Sequence, residues 1–149
     1  MNNKTYYKMN SNVIPQINLI NIANIEPPYI HFKRKADEFI MYYIISGEMY
    51  LEENSIKYIL KPGDIIILDP NYEHFGIKSS KCTYAYIHFT HSDILESYDY
   101  LETLKPILLS ERISSLSITP FKESPNIILP KYFHSNNNVF NSTLLYDIN

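Results

Sequence analysis

The amino-acid sequence predicts a mostly β protein whose strands close into a sandwich or barrel. The chain has 149 residues, which is enough for one domain with one sizeable core. Its 14 tyrosines, seven phenylalanines and many isoleucines favour the half-buried surface of a sheet over helices. Between residues 39 and 89, short β-prone runs alternate with turn residues at close, even spacing, which is typical of sandwiches and barrels.

The order of the elements follows from this alternation. Residues 1–12 are polar and Asn-rich, and they predict a flexible arm. Residues 61–64 read Lys-Pro-Gly-Asp, where proline fixes φ and glycine can take a positive φ, so the chain turns there. The predicted strands are residues 17–22, 29–32, 39–45, 48–52, 56–60, 65–68, 73–78 and 82–89.

The pattern changes after His91. Residues 93–105 carry apolar side chains at helical spacing, with Ser92 or Asp93 as the N-cap, and they predict a helix that ends before Pro106. Two late strands are expected at residues 116–119 and 126–129. Residues 135–149 have the pattern of the start of an amphipathic helix, which suggests that the chain is cut before a further domain.

Charge and composition exclude several function classes. The net charge of −3 argues against direct binding of nucleic acid by this segment. Cys82 is the lone cysteine, so no disulfide is expected and it is interpreted as a core residue. The sequence has neither a nucleophile elbow nor a glycine-rich phosphate loop, and we expect no enzyme. A signal peptide and long apolar runs are also missing from it, which predicts a cytoplasmic protein with no membrane partner.

The most informative block is an ordered series of motifs between residues 39 and 89. It contains Tyr43-Ile-Ile-Ser-Gly-Glu48, then Leu60-Lys-Pro-Gly-Asp-Ile-Ile-Ile-Leu-Asp-Pro70, then His74, and finally Tyr86-Ile-His-Phe89. This series resembles the N-terminal effector-sensing domain of AraC-family transcription regulators. Arg34 matches an arginine common in that family, and Ile128-Leu-Pro-Lys-Tyr132 looks like its proline-containing segment before the linking helix. The resemblance covers roughly residues 29–134.

The resemblance implies a cupin-type double-stranded β-helix, or jelly-roll barrel, with one or two C-terminal helices. Residues 13–134 would form the effector-sensing domain, and residues 135–149 would begin a linking and dimerisation helix. The family implies a small-molecule effector, with a sugar as one candidate, and a homodimer as an option. DNA would be bound only by a C-terminal helix-turn-helix domain that is absent from this chain. The alternative is a free-standing cupin, either a metal-dependent isomerase or oxygenase or a sugar-binding module.

Cupin enzymes hold a divalent metal through two His and a carboxylate of a first motif and a His of a second. His74 matches the second-motif His, but the region of the first motif offers only His31 and Glu38. The basic residues 33–35 between them would repel a cation if they pointed inward. We therefore expect no metal and no cofactor, and we interpret His74 as a hydrogen-bonding barrel residue.

The candidate ligand-binding residues come from strand alternation and from the resemblance. In an extended strand Tyr84, Tyr86 and His88 share one face, and Ala85 lies on the other. The family positions that contact ligand match Tyr84, Tyr86 and Arg34. Gly76 stands where a further aromatic contact would fall, so the effector is left open. The alternatives are tyrosines that only fill the barrel and an arginine on a surface loop. The predicted ligand-binding residues are Arg34, Tyr84, Tyr86 and His88, with His74 at the rim.

Overall fold

The computed structural model describes residues 6–97 and 126–134, and these residues form strands and connecting turns. Within them, no helical segment has the length and hydrophobicity needed to span a membrane. The chain divides into two compact units, one of Met1–Gln16 with Thr90–Lys131 and one of Ile17–Phe89 with Tyr132–Asn149. The strands are β1 (Tyr6–Asn10), β2 (Gln16–Ile25), β3 (Arg34–Lys35), β4 (Phe39–Gly47), β5 (Met49–Glu53), β6 (Ile56–Leu60), β7 (Ile65–Leu68), β8 (Glu73–Gly76), β9 (Cys82–Thr90), β10 (Ile94–Ser97), β11 (Asn126–Pro130) and β12 (Tyr132–Phe133).

The second unit consists of two sheets that share one apolar core. The first has the order β12-β7-β4-β9-β2, and the second has the order β3-β8-β5-β6. β4 pairs antiparallel with both β7 and β9, so Tyr42 lies opposite Ile66 on one side and Tyr86 on the other. The core joins both sheets, since Tyr42 and Ile66 pack in the same cluster as Leu51 of β5. This arrangement confirms the predicted mostly β, cupin-like fold.

The lone cysteine behaves as the sequence predicts. Cys82 opens β9 and is buried in the core cluster. Burial raises the pKa of its thiol to about 11, because the thiolate would lose its hydration there. The side chain therefore serves as a small apolar core group.

The first unit is a three-stranded sheet of order β10-β1-β11, and it overturns two predictions. Residues 6–10 were expected in a flexible arm, but they form β1 and bury Tyr6, Tyr7 and Met9. Burial of these three apolar side chains offsets the entropy cost of ordering the segment. The predicted helix of residues 93–105 is wrong at its start, because Ile94–Ser97 form β10 and pair antiparallel with β1.

The structure tests only one of the remaining C-terminal predictions. The strand predicted at residues 126–129 is confirmed as β11, Asn126–Pro130. The rest of the predicted helix, residues 98–105, lies outside the described residues. The strand at 116–119 and the helix at 135–149 also lie outside them.

One glycine brings a loop close to β8. Residues 29–32 form no strand, in contrast to the prediction, and the peptide between Pro27 and Pro28 is cis. The Gly76 amide donates to the His31 carbonyl at 2.8 Å. A Cβ built on Gly76 would lie 2.7 Å from the His31 nitrogen, so a side chain there would push the loop away. The glycine thus allows His31 to be buried beside β8.

Candidate functional site

The second unit contains a cavity of about 210 Å³. Its wall combines residues of β2, β3, β4 and β9 with the loop that follows the two prolines. Half of the lining residues are tyrosine or phenylalanine, and three others are histidine or arginine. The lining residues are Leu19, Ala23, Tyr29, His31, Phe32, Arg34, Tyr42, Tyr84, Tyr86 and His88.

Three of the predicted residues follow one another along β9. Tyr84, Tyr86 and His88 all line the cavity, as strand alternation predicts. Their rings form a continuous row, with centroids 6.0 Å apart from Tyr84 to Tyr86 and 5.6 Å apart from Tyr86 to His88. Tyr42 of β4 extends the row, because its ring lies 4.8 Å from that of Tyr84. The row offers a small ligand aromatic faces on which to pack.

Burial keeps two of these hydroxyls protonated. It raises the pKa of Tyr42 to about 12, although the nearby Arg34 guanidinium opposes the rise. Burial also raises the pKa of Tyr84, because the phenolate would be poorly solvated there. At neutral pH both phenols therefore act as neutral hydrogen-bonding groups.

Arg34 lines the cavity and is held by neighbouring side chains, among which the Tyr42 hydroxyl also interacts with the guanidinium. In the antiparallel pair of β3 and β8 it lies opposite His74, and its Nε donates to Nε2 of His74 at 3.2 Å. Its guanidinium carbon lies 5.3 Å from the centre of the Phe32 ring. These contacts hold the guanidinium at the wall, and its other N–H groups can still serve a ligand.

The structure corrects the position of His74. It does not lie at the rim of the cavity, because it is only 1% exposed and does not belong to the cavity lining. On β8 it alternates with the exposed Glu73, so its side chain points to the buried side. The prediction of a hydrogen-bonding barrel residue agrees with its contact to Arg34.

A second polar group closes the other end of the aromatic row. Nδ1 of His88 contacts Oε1 of Glu38 at 2.7 Å, and Asn18 donates to Oε2 of the same carboxylate at 2.6 Å. The hydrogen bonds from Asn18 and His88 hold the pKa of Glu38 below its usual range, against the opposing effect of desolvation. Because Nδ1 donates to the carboxylate, Nε2 of His88 is the ring nitrogen that can meet a ligand.

The sequence reasoning missed six of the ten lining residues, which are Leu19, Ala23, Tyr29, His31, Phe32 and Tyr42. His31 was considered only as a metal ligand, but its Nε2 contacts the Tyr42 hydroxyl at 2.9 Å and its Nδ1 contacts the Phe32 carbonyl at 3.0 Å. Tyr42 faces the cavity because β4 pairs with β9 and sets it opposite Tyr86, a register that the sequence alone does not show. A run that is apolar at every position does not reveal which face is inward.

His31 makes the stability of the protein depend on pH. Burial is the main reason that the pKa of His31 lies below its ordinary 6.5, so the unfolded chain binds more protons just below that pH. We therefore expect the free energy of unfolding to fall as the pH is lowered through this window. In His31→Gln, which keeps a polar group near Tyr42, the fall should be smaller.

Urea unfolding of wild type and variant over a pH series measures this effect. His91→Asn is the control, because His91 lies in the first unit outside the cavity lining. An equal pH slope in wild type and His31→Gln would contradict the prediction.

The histidines near the cavity do not form a recognisable metal site. In the described ranges 6–97 and 126–134, no three His, Cys, Asp or Glu side chains are grouped so as to hold a metal ion. Arg34 donates to Nε2 of His74, the residue that matches the second cupin motif. The absence of a bound metal stays a prediction.

Comparison with known proteins connects this geometry to a family. Residues 18–122, most of the chain, match the family model described as AraC-like ligand binding domain. A stretch of 61 residues, 40% of this chain, is 34% identical to the uncharacterized HTH-type transcriptional regulator YisR of Bacillus subtilis (strain 168). The matched stretch covers 21% of the length of that relative.

Proposed function

The chain belongs to the family of AraC-like ligand binding domains, and from this premise we propose that it binds a small-molecule effector in the cavity of the second unit. Binding there would control the activity of a transcription regulator. The family and the similar regulator point to a regulatory ligand-binding domain rather than to an enzyme.

The observation that carries this proposal is the convergence of four residues on one cavity. Arg34, Tyr84, Tyr86 and His88 were selected from the sequence, and all four belong to the same lining. Aromatic faces with a few converging polar groups are what a polar metabolite needs. The cavity of about 210 Å³ is smaller than the roughly 300–1,000 Å³ of sites for drug-sized ligands, which favours a small metabolite such as a sugar.

The proposal also covers the partners. DNA would be bound by another domain of the regulator, since the net charge of −3 disfavours direct binding by this chain. A homodimer is supported by exposed apolar side chains on two strands of the five-stranded sheet, Ile20 and Ile22 of β2 and Tyr43 and Ile45 of β4. A regulator of this kind acts on the chromosome, so we assign it to the cytoplasm.

Tyr86→Ala tests the site directly. We expect the variant to bind effector more weakly by about 1–3 kcal/mol, because truncation removes an aromatic anchor of the row. A panel of sugars, polyols and organic acids is first scanned for compounds that raise the melting temperature of the wild type. Calorimetric titration with each such compound then gives the affinities of wild type and variant.

Ala85→Ser is the matched control, because Ala85 neighbours Tyr86 on β9 and does not line the cavity. It should bind within about threefold of the wild type, which is about 0.6 kcal/mol. If wild type and Tyr86→Ala bind the effector with equal affinity, the effector does not bind in this cavity.

A further inference from the structure

The charge of the cavity wall is unbalanced. Arg34 is the one lining residue that is charged at every pH at which the protein is folded, since the others are tyrosine, histidine or apolar residues. Arg34 is half-buried, and its guanidinium is held by His74 and Phe32. A held cation that is partly removed from water favours a ligand of opposite charge.

The acidic side chains of the described residues do not neutralise this cation by a direct ion pair. The neighbouring Lys33 pairs with Glu73, at 2.7 Å between Nζ and Oε2. Glu38 is near enough for its pKa to respond to Arg34, but its two oxygens contact His88 and Asn18. Within residues 6–97 and 126–134, no carboxylate oxygen lies within ion-pair distance of Arg34. In this part of the chain Arg34 therefore has no direct ion-pair partner, and the charge of Glu38 acts on it only at longer range.

We propose that the effector is a small hydroxy-carboxylic acid, such as a sugar acid, whose carboxylate binds the Arg34 guanidinium. This inference rests on the proposed function and specifies its ligand class. The guanidinium uses Nε for His74, and its terminal nitrogens can donate two parallel hydrogen bonds to a carboxylate. Hydroxyl groups of the ligand would meet Tyr86 and Nε2 of His88, while its carbon skeleton packs on the aromatic row.

Matched pairs of ligands separate this inference from the general proposal. The probes are galacturonate with galactose, and gluconate with glucitol, each titrated calorimetrically into the wild-type chain. We expect each acid to bind at least about tenfold more tightly than its neutral counterpart, as hydrogen bonds to charged groups are the stronger ones.

Arg34→Gln and Glu38→Gln form a pair of variants that change the charge in opposite directions. Arg34→Gln should weaken binding of the acids by about tenfold to a hundredfold and leave the neutral ligands within about threefold. Glu38→Gln keeps an oxygen that can accept from His88 and removes a negative charge near Arg34, so it should not reduce the affinity for the acids more than the affinity for the neutral ligands. Melting temperatures show whether each variant is folded.

Three results would overturn the inference. The first is that galactose or glucitol binds as tightly as its acid and depends on Tyr86 in the same way, which would leave the proposed function standing. The second is that neither acid binds the wild type. The third is that Arg34→Gln and Glu38→Gln reduce the affinity for the acids by the same factor. The proposed function itself fails only if no ligand of the wider panel depends on the cavity residues.

Discussion

Replacement of Asp64 by alanine should lower the free energy of unfolding by about 3 kcal/mol, because it removes a buried carboxylate that serves several donors at once. Asp64 is fully buried. Its Oδ2 accepts hydrogen bonds from the Lys61 amide at 2.8 Å and from the Tyr132 hydroxyl at 3.3 Å, and its Oδ1 contacts Nδ1 of His134 at 2.8 Å. The truncation would leave the Lys61 amide and the Tyr132 hydroxyl without this acceptor, whereas the half-exposed His134 can turn to water instead.

Equilibrium unfolding in urea, followed by tyrosine fluorescence or far-UV circular dichroism, measures the change. Asp37→Ala is the control, because Asp37 is exposed and its removal should change stability by no more than about 0.5 kcal/mol. Asp64→Asn keeps one acceptor oxygen, so its loss in free energy of unfolding should lie between those of Asp64→Ala and Asp37→Ala. Equal costs for Asp64→Ala and Asp37→Ala would show that the buried contacts contribute little.

The same contacts explain the Pro-Gly-Asp motif in physical terms. Pro62 fits the first bend, and Gly63 takes a φ of 88°, which side chains disfavour. Asp64 then closes the turn through the Lys61 amide and holds β12 through Tyr132. Burial is the main reason that the pKa of Tyr132 is raised to about 12, so its hydroxyl stays protonated and can donate to the carboxylate. The motif thus joins a turn to a distant strand of the same unit.

Much of the second unit could be predicted because its signals are local. Period-two alternation predicts β6 at residues 56–60, and the turns on either side of a continuous apolar run predict β7 at residues 65–68, as the structure shows. The same alternation was enough to assign Tyr84, Tyr86 and His88 to one face of β9. Local patterns succeed here because the turn residues and the alternation within one strand mark its ends and its inward face, even where its partner lies far away in the chain, as β4 does for β9.

The errors concern contacts between residues far apart in the chain. β1 forms because Tyr6–Asn10 pair with β10 and β11, more than 80 residues away, and nothing in its own composition indicates this pairing. The spacing of apolar residues after Asp93 fits a helix as well as a strand, and the pairing with β1 decides for the strand. His31 was missed as a lining residue for the same reason, since the close approach at Gly76 brings it into place.

Tyr84 is both a core residue and a cavity-lining residue. Among the residues of the cavity wall, we expect its substitution to lower the stability of the protein most. It belongs to the core cluster and also lines the cavity, and its ring contacts those of Tyr42 and Tyr86. Tyr84→Ala should therefore cost about 3–5 kcal/mol of stability, the range for truncation of a buried aromatic side chain. Tyr43→Ala is the control. Because Tyr43 is 44% exposed, this substitution should lower the free energy of unfolding clearly less than Tyr84→Ala does.

Tyr84→Phe separates packing from ligand contact at the same position. The ring is kept, so the free energy of unfolding should stay within about 1 kcal/mol of the wild type. If the hydroxyl serves the ligand, calorimetric titration should show weaker effector binding by this folded variant, because a hydrogen bond from the wall is lost. A Tyr84→Ala variant as stable as Tyr43→Ala would contradict the packing role, and a Tyr84→Phe variant with wild-type affinity would restrict Tyr84 to the core.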